Sequence, residues 1–200
     1  MVYYICGIDI GIIHLGISFI EVNKNEDTEI LTVIEFELIN LKELTDNCDM
    51  NCGLYHSNTI SDRLSHFLKI YQDRLEICKY IFIEQQPIHG ISSVEQLIYN
   101  KYRNKSYLVN PKKIHKYFGL STNVDLRKSK SVQLVNDILS FELKEQLKKY
   151  ERKHDITDSV LIAMTGLYHK QNEIIKVDKL NKSINQIDLS IFEKFKYRVI

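Results

Sequence analysis

The sequence predicts a single α/β domain built on a five-stranded mixed sheet, with three antiparallel strands first and βαβ crossovers after them. Three observations lead there. Apolar runs of strand length crowd the first forty residues, and helical spacing of apolar positions begins only at Ile60. Two further short apolar runs, at Lys79–Glu84 and Ser106–Asn110, are each followed by a proline and separated by a helical segment. Bulk properties agree. At 200 residues, 44% hydrophobic and 26% charged, the chain suits one large domain with a sizeable core, and 7 Gly and 2 Pro exclude a collagen-like or Pro/Gly-rich disordered protein.

The elements follow in order. Tyr3–Ile10 is rich in Ile and Tyr and ends at Gly11, as a buried strand would. Leu15–Val22 is a second strand after a tight connection, and polar residues 23–28 turn into a third, Glu29–Ile39, with Ile30, Thr32, Ile34, Phe36 and Leu38 on one face. Residues 40–58 read as a long polar connection. Ile60, Leu64, Phe67, Leu68, Tyr71 and Leu75 mark a helix over Ile60–Ile77, either a dimer element or a cover for the sheet. Lys79–Glu84 is the fourth strand, Ser92–Arg103 a helix, and Ser106–Asn110 the fifth strand; helices then occupy roughly 129–150 and 155–170. Residues 1–170 are expected to form the domain, with 171–200 a C-terminal extension of unassigned role.

No apolar run approaches the roughly 18 residues of a membrane span. The opening MVYYICGIDIG lacks a basic leader and a small-residue cleavage site. An intracellular, soluble protein without membrane contact or mitochondrial presequence is therefore expected. Net charge is +1, yet six basic residues and no acid lie between Lys101 and Lys116, followed by Arg127, Lys128 and Lys130. Such asymmetry fits either an anion-facing side or a solvated face.

Three acidic positions stand out by placement. Asp9 is embedded in the first strand, where an unpaired carboxylate would carry a heavy desolvation cost, and its neighbours Gly7 and Gly11 would let a ligand approach the backbone. Glu84 ends the most apolar strand. Asp155 and Asp158 lie three apart at a helix start, on one face. Singly, a strand-end Glu is often only solvated and a helix-start Asp only a cap. Together they offer hard oxygen ligands for Mg²⁺ or Mn²⁺. Two such ions would activate a water and stabilise the leaving oxygen in phosphodiester hydrolysis.

The runs Gly-Ile-Asp-Ile-Gly at 7–11, Ile-Glu-Gln-Gln at 83–86 and His-Asp-Ile-Thr-Asp-Ser at 154–159, in this order and on these elements, resemble the RuvC-type Holliday junction resolvases of the RNase H-like superfamily. The resemblance spans roughly residues 3–170 and is greatest to the resolvases of poxviruses and other large DNA viruses, then to the fungal mitochondrial ones. It implies an RNase H-like fold, a homodimer, and two Mg²⁺ ions per active site, with Mn²⁺ as a substitute, each site nicking one strand of a four-way or otherwise branched DNA junction. Asp9, Glu84, Asp155 and Asp158 would be the metal-binding catalytic acids. Val109-Asn-Pro-Lys-Lys-Ile-His-Lys resembles the family's basic segment, implying DNA contacts by Lys112, Lys113 and Lys116, with His115 where a lysine is expected; Lys130 resembles a second family lysine. A viral member would act in the host cytoplasm.

Other residues have two readings each. His154 and His115 are auxiliary candidates; for His154, proton transfer competes with plain exposure before the helix. Tyr99, Tyr102 and Tyr107 either stack on unpaired bases or pack the helix and strand. Gln85 and Gln86 either touch DNA or are ordinary strand-end amides. Cys48, Cys52 and His56 recur every four residues, but a structural zinc wants four ligands and no second half is evident, so they read as thiols in an irregular connection. The same acids would equally serve another RNase H-like nuclease, acting on RNA–DNA hybrids or other branched DNA. Asp-x-Gly after a first strand also marks actin-like ATPases, whose two domains would not fit in this length. A junction-binding protein without catalysis is disfavoured because all four acids are present.

Overall fold

A computed structural model describes residues 1–26, 28–46, 48 and 52–182, with side chains described through residue 172. The sheet comprises β1 (Val2–Asp9), β2 (Leu15–Lys24), β3 (Glu29–Ile39), β4 (Cys78–Glu84) and β5 (Ser106–Val109), in spatial order β3-β2-β1-β4-β5. β1–β2–β3 form an antiparallel meander, and β4 and β5 add in parallel beyond β1. This is the mixed sheet expected from the sequence.

The strands alternate their side chains between two cores. Ile5, Ile20, Phe82 and Val109 face a layer led by the helix Lys153–Lys182, whose Val160, Leu161, Ala163 and Leu167 are buried. Cys6, Ile8, Ile17, Ile81 and Ile83 face the opposite layer, filled by Leu64, Phe67, Leu75, Val94 and Ile98. Central strands covered on both faces read as continuous apolar runs, which is why β1 and β4 were visible without alternation.

Helices number in chain order: α1 (Leu41–Asp46), α2 (Ile60–Ile70), α3 (Gln72–Ile77), α4 (Ser92–Lys101), α5 (Pro111–Phe118), α6 (Val124–Ile138), α7 (Phe141–Lys148) and α8 (Lys153–Lys182). Several depart from expectation. The single helix over Ile60–Ile77 is two, broken at Tyr71, and its apolar face is spent on the sheet. The region 129–150 is likewise two helices, because Ser140 caps a new start through the Leu143 N–H. α5 was not anticipated. Asn110 caps it through the Lys112 N–H at 2.9 Å, Pro111 occupies its first turn, and Gly119 ends it at φ 60°. α8 continues through residue 170 without a break, so the expected domain boundary falls inside a helix, while residues 183–200 lie outside the described ones.

The face assigned to β3 needs correction. Register against β2 passes from Phe19↔Glu35 to Ile20↔Val33, leaving Ile34 as a bulge that is 45% exposed. The extra residue inverts the alternation, so Leu31 and Val33 join Phe36 in the α8-side core in place of Ile30 and Thr32.

Candidate active site

Strand parity places the first two acids. Ile5, Gly7 and Asp9 share the α8-facing side of β1, as do Phe82 and Glu84 on β4. The parallel register pairs Gly7 with Phe82 and Ile8 with Ile83, so Asp9 and Glu84 emerge side by side at the carboxyl ends of neighbouring strands. Ligand sites in α/β sheets collect at such ends.

α8 brings the other two acids by lying unusually close to the sheet. A Cβ on Gly7 would stand 2.0 Å from the Ser159 carbonyl oxygen, one on Gly16 2.1 Å from the Asp155 carbonyl oxygen, and one on Gly166 2.2 Å from the Phe82 ring. Gly7 and Gly16 thus seat the first turns of α8 over β1 and β2, and Gly166 farther along α8 seats it on Phe82 of β4. The space beside Gly7 is filled by this helix and that beside Gly11 by the His14 carbonyl, so neither glycine opens the backbone to a ligand as expected.

Asp9, Glu84 and Asp158 line one small cavity of about 70 Å³ with Ile114, His115, Leu120, Arg127 and Ile162. Asp155, 8% exposed, is instead paired with Arg152, at 2.6 Å from Nε to Oδ2 and 3.3 Å from Nη2 to Oδ1, with His154 Nε2 3.2 Å from Oδ1, and its charge still acts on Asp9 and Asp158.

Charge is concentrated in the cavity. Burial, then the charges of Glu84 and Asp158, push the Asp9 carboxyl well above the ordinary range, and Asp9 hydrogen-bonds to Glu84. Burial also raises Glu84, against hydrogen bonds from Asp9, Gln86 and the Ile10 N–H. Asp158 is pushed up to about 6, chiefly by burial, with a Ser131 hydrogen bond working the other way. Three adjacent acids with raised affinity for protons and an all-oxygen donor set fit a divalent hard cation.

α5 and α6 form the opposing wall. His115 and Arg127 face the acids, and burial together with Arg127 lowers the His115 pKa. Lys112 and Lys116 are exposed on α5, one turn apart along the helix; Lys130 is exposed on α6, 3.5 Å from Gln133. Lys113 turns instead to a second cavity of about 320 Å³, beside β5, with Tyr99, Arg103, Tyr107 and Lys170. Tyr102 is buried packing, whereas Tyr107 carries Lys170 Nζ 4.4 Å above its ring. Burial lowers His154 despite the neighbouring Asp155.

Three residues support the site in ways that the sequence did not reveal, although Gln86 was named as a possible DNA contact. Gln86 Nε2 donates to Glu84 at 2.6 Å while its backbone N–H donates to buried Glu95, so this amide orients the acid. Arg127 was seen only as part of a basic run. Arg152 gave no signal beyond standing three residues before Asp155, a helical spacing suited to pairing.

The family described as Poxvirus A22 protein matches residues 3–170. No curated protein matches the chain significantly. Among solved structures, the fowlpox virus resolvase in complex with substrate Holliday junction DNA aligns with a TM-score of 0.58 and 17% identity, covering 83% of this chain and 97% of that one. The crystal structure of the fowlpox virus Holliday junction resolvase aligns with a TM-score of 0.53 and 18% identity, covering 84% and 99%. The fold is that of these fowlpox virus structures.

Proposed function

The chain belongs to the Poxvirus A22 protein family, and on that premise we propose that it is a structure-selective endonuclease, resolving four-way DNA junctions by paired symmetric nicks. The observation that carries this reading is the convergence of Asp9, Glu84 and Asp158 on one cavity at the sheet's carboxyl edge, walled by His115 and Arg127. It is supported by the fowlpox resolvase, which shares the fold and is described with Holliday junction DNA as its substrate.

Asp9, Glu84 and Asp158 would hold Mg²⁺, or Mn²⁺ in its place, with Asp155 joining when Arg152 releases it. Two such ions supply an activated water and charge stabilisation at the leaving oxygen. The chain's residues do the rest. Gln86 and the Ile10 N–H fix the Glu84 carboxylate, and Ser131 fixes Asp158. Arg127 sets a permanent positive charge opposite the acids, where the scissile phosphate enters. Lys112, Lys116 and Lys130 present cations on the outer wall for flanking phosphates, and Lys113 with Arg103 and Lys170 does so around the second cavity. His115 takes the position of the expected lysine, and its lowered pKa makes it a neutral hydrogen-bonding group at pH 7.

A homodimer gives paired nicks their symmetry, since one two-fold axis relates two opposed strands. Residues 1–170 are the nuclease domain in this reading, α8 carrying the chain into the extension at 171–200. The site of action is the host cytoplasm. No helix among the described residues is long and apolar enough to cross a membrane.

The test is cleavage of a labelled synthetic four-way junction with Mg²⁺ or Mn²⁺, beside linear duplex, flap and RNA–DNA hybrid. Paired symmetric nicks on the junction alone are expected. Preferential cutting of the hybrid would transfer the function to RNA removal, and binding without cutting would remove the enzyme assignment.

A further inference from the structure

On the opposite face of the sheet from the acids, the connection from α1 to α2 brings together residues that sequence spacing left incomplete. The ligand atoms of Cys48, Cys52, His56 and His66 all lie within 4.8 Å of one another. Cys52 Sγ is 3.2 Å from His56 Nε2 and 3.6 Å from His66 Nε2. Tetrahedral zinc with ordinary Zn–S and Zn–N bonds has ligand–ligand edges of about 3.4–3.8 Å. The fourth ligand that a closed site requires is His66, ten residues beyond His56 and supplied by α2.

We propose that Cys48, Cys52, His56 and His66 bind a structural zinc ion that fastens the α1–α2 connection to α2. Two features beyond proximity support it. His66 is 2% exposed, and its Nδ1 lies 2.7 Å from the Asp62 carbonyl oxygen. A carbonyl only accepts, so Nδ1 carries the proton and Nε2 presents its lone pair to the cluster, the outer hydrogen bond typical of a metal-bound imidazole. Gly53, at φ 71°, turns the chain so that the Leu54 N–H points at Cys52 Sγ from 3.4 Å, a bond that favours the thiolate.

The donor set selects the metal. Two sulfurs and two imidazoles suit zinc and are poor ligands for Mg²⁺ or Mn²⁺, so this centre and the carboxylate cavity do not compete for one ion. Four protein ligands leave no open position for a reacting water, which makes the role structural. Its effect reaches the fold through α2, whose Leu64 and Phe67 fill the core under β1 and β2.

The experiment is elemental analysis of the full chain, purified under reducing conditions without chelator. About one zinc per chain is expected, retained on dialysis against excess Mg²⁺, falling to less than about a tenth in Cys52→Ser and His66→Asn. Asp9→Asn, which alters only the carboxylate cavity, keeps its zinc. Should the ligand variants fail to fold, Co²⁺ replacement in the unaltered protein decides: strong tetrahedral d–d bands with a sulfur-to-cobalt charge-transfer band support the site. Less than about a tenth of an equivalent of zinc in the unaltered protein, full zinc in Cys52→Ser, or a weak octahedral cobalt spectrum would overturn it.

Discussion

Replacing Asp158 by Asn should destroy activity yet make the metal-free protein more stable at neutral pH. The Asp158 carboxyl is raised from 3.8 to about 6, chiefly by burial, and each unit is worth about 1.4 kcal/mol, so its ionised form costs the native state about 3 kcal/mol. The sign follows from proton binding. Between pH 3.8 and 6 the native state holds a proton that the unfolded chain has released, so stability is greatest below that window and falls as pH rises through it. Asn carries no such charge and can keep the Ser131 contact, recovering most of the loss.

The assay is urea unfolding in buffer free of Mg²⁺ and Mn²⁺. For a domain of this size, about 3 kcal/mol shifts the midpoint by roughly 1–2 M. Asp158→Asn should exceed the unaltered protein by that amount at pH 7.5 and match it near pH 4, where Asp158 is already protonated in the fold. Adding Mg²⁺ should stabilise the unaltered protein more than the variant, because only the former keeps all three cavity carboxylates. Equal midpoints at pH 7.5, or a less stable variant there, would refute the view that burial makes the charged Asp158 costly until a cation is bound.

Other outcomes follow from the same geometry. Asp9→Asn should reduce junction cleavage to background while leaving junction affinity within a few-fold, because affinity follows phosphate contacts; a gel-shift assay beside the cleavage assay checks both. Gly16→Ala drives a Cβ against the Asp155 carbonyl, and should cost roughly 1–3 kcal/mol by thermal unfolding and cut cleavage about a hundredfold through displacement of α8. Lys112→Ala with Lys116→Ala should lower the slope of log affinity against log salt by about 2, measured by fluorescence anisotropy on a labelled junction; an unchanged slope moves the DNA surface elsewhere.

What could be read from the sequence was what depends on local pattern. Buried strands announce themselves as apolar runs, and Asp9 and Glu84 were conspicuous because each interrupts or ends one. Asp155 and Asp158 were found by helical spacing, but spacing could not say that Asp155 is paired with Arg152 while Asp158 lines the cavity, since α8 rotation is fixed by Gly7, Gly16 and Gly166 against distant carbonyls and a ring. The β3 face was misread because a bulge is a property of the pair of strands, with Ile34 indistinguishable in sequence from its neighbours. α5 escaped notice for a different reason: its eight residues contain four charges or imidazoles and a single buried side chain, Ile114, so periodicity had nothing to detect, while Asn110-Pro111 and Gly119 did mark its ends.

The Cys/His cluster shows the same limit at its sharpest. Cys48, Cys52 and His56 share a spacing of four that suggests one helix face, yet Cys52 and His56 lie in irregular backbone and are gathered by the positive φ of Gly53 and by contacts to α2. The decisive residue, His66, sits inside an amphipathic helix between Leu64 and Phe67, where an imidazole reads as one more partly buried side chain. Spacing rules for zinc sites assume that ligands come in close pairs on short knuckles. Here three come from a connection and the fourth from the helix that follows it, so only the fold could supply the count of four. The acids obey the reverse logic. Their types and order suffice to suggest hydrolysis with hard cations, and the fold's contribution is to sort them, three into the cavity and one onto an arginine. A protein arranged this way keeps its sulfur and imidazole donors and its clustered carboxylates on opposite faces of one sheet, each face read by a different part of the sequence.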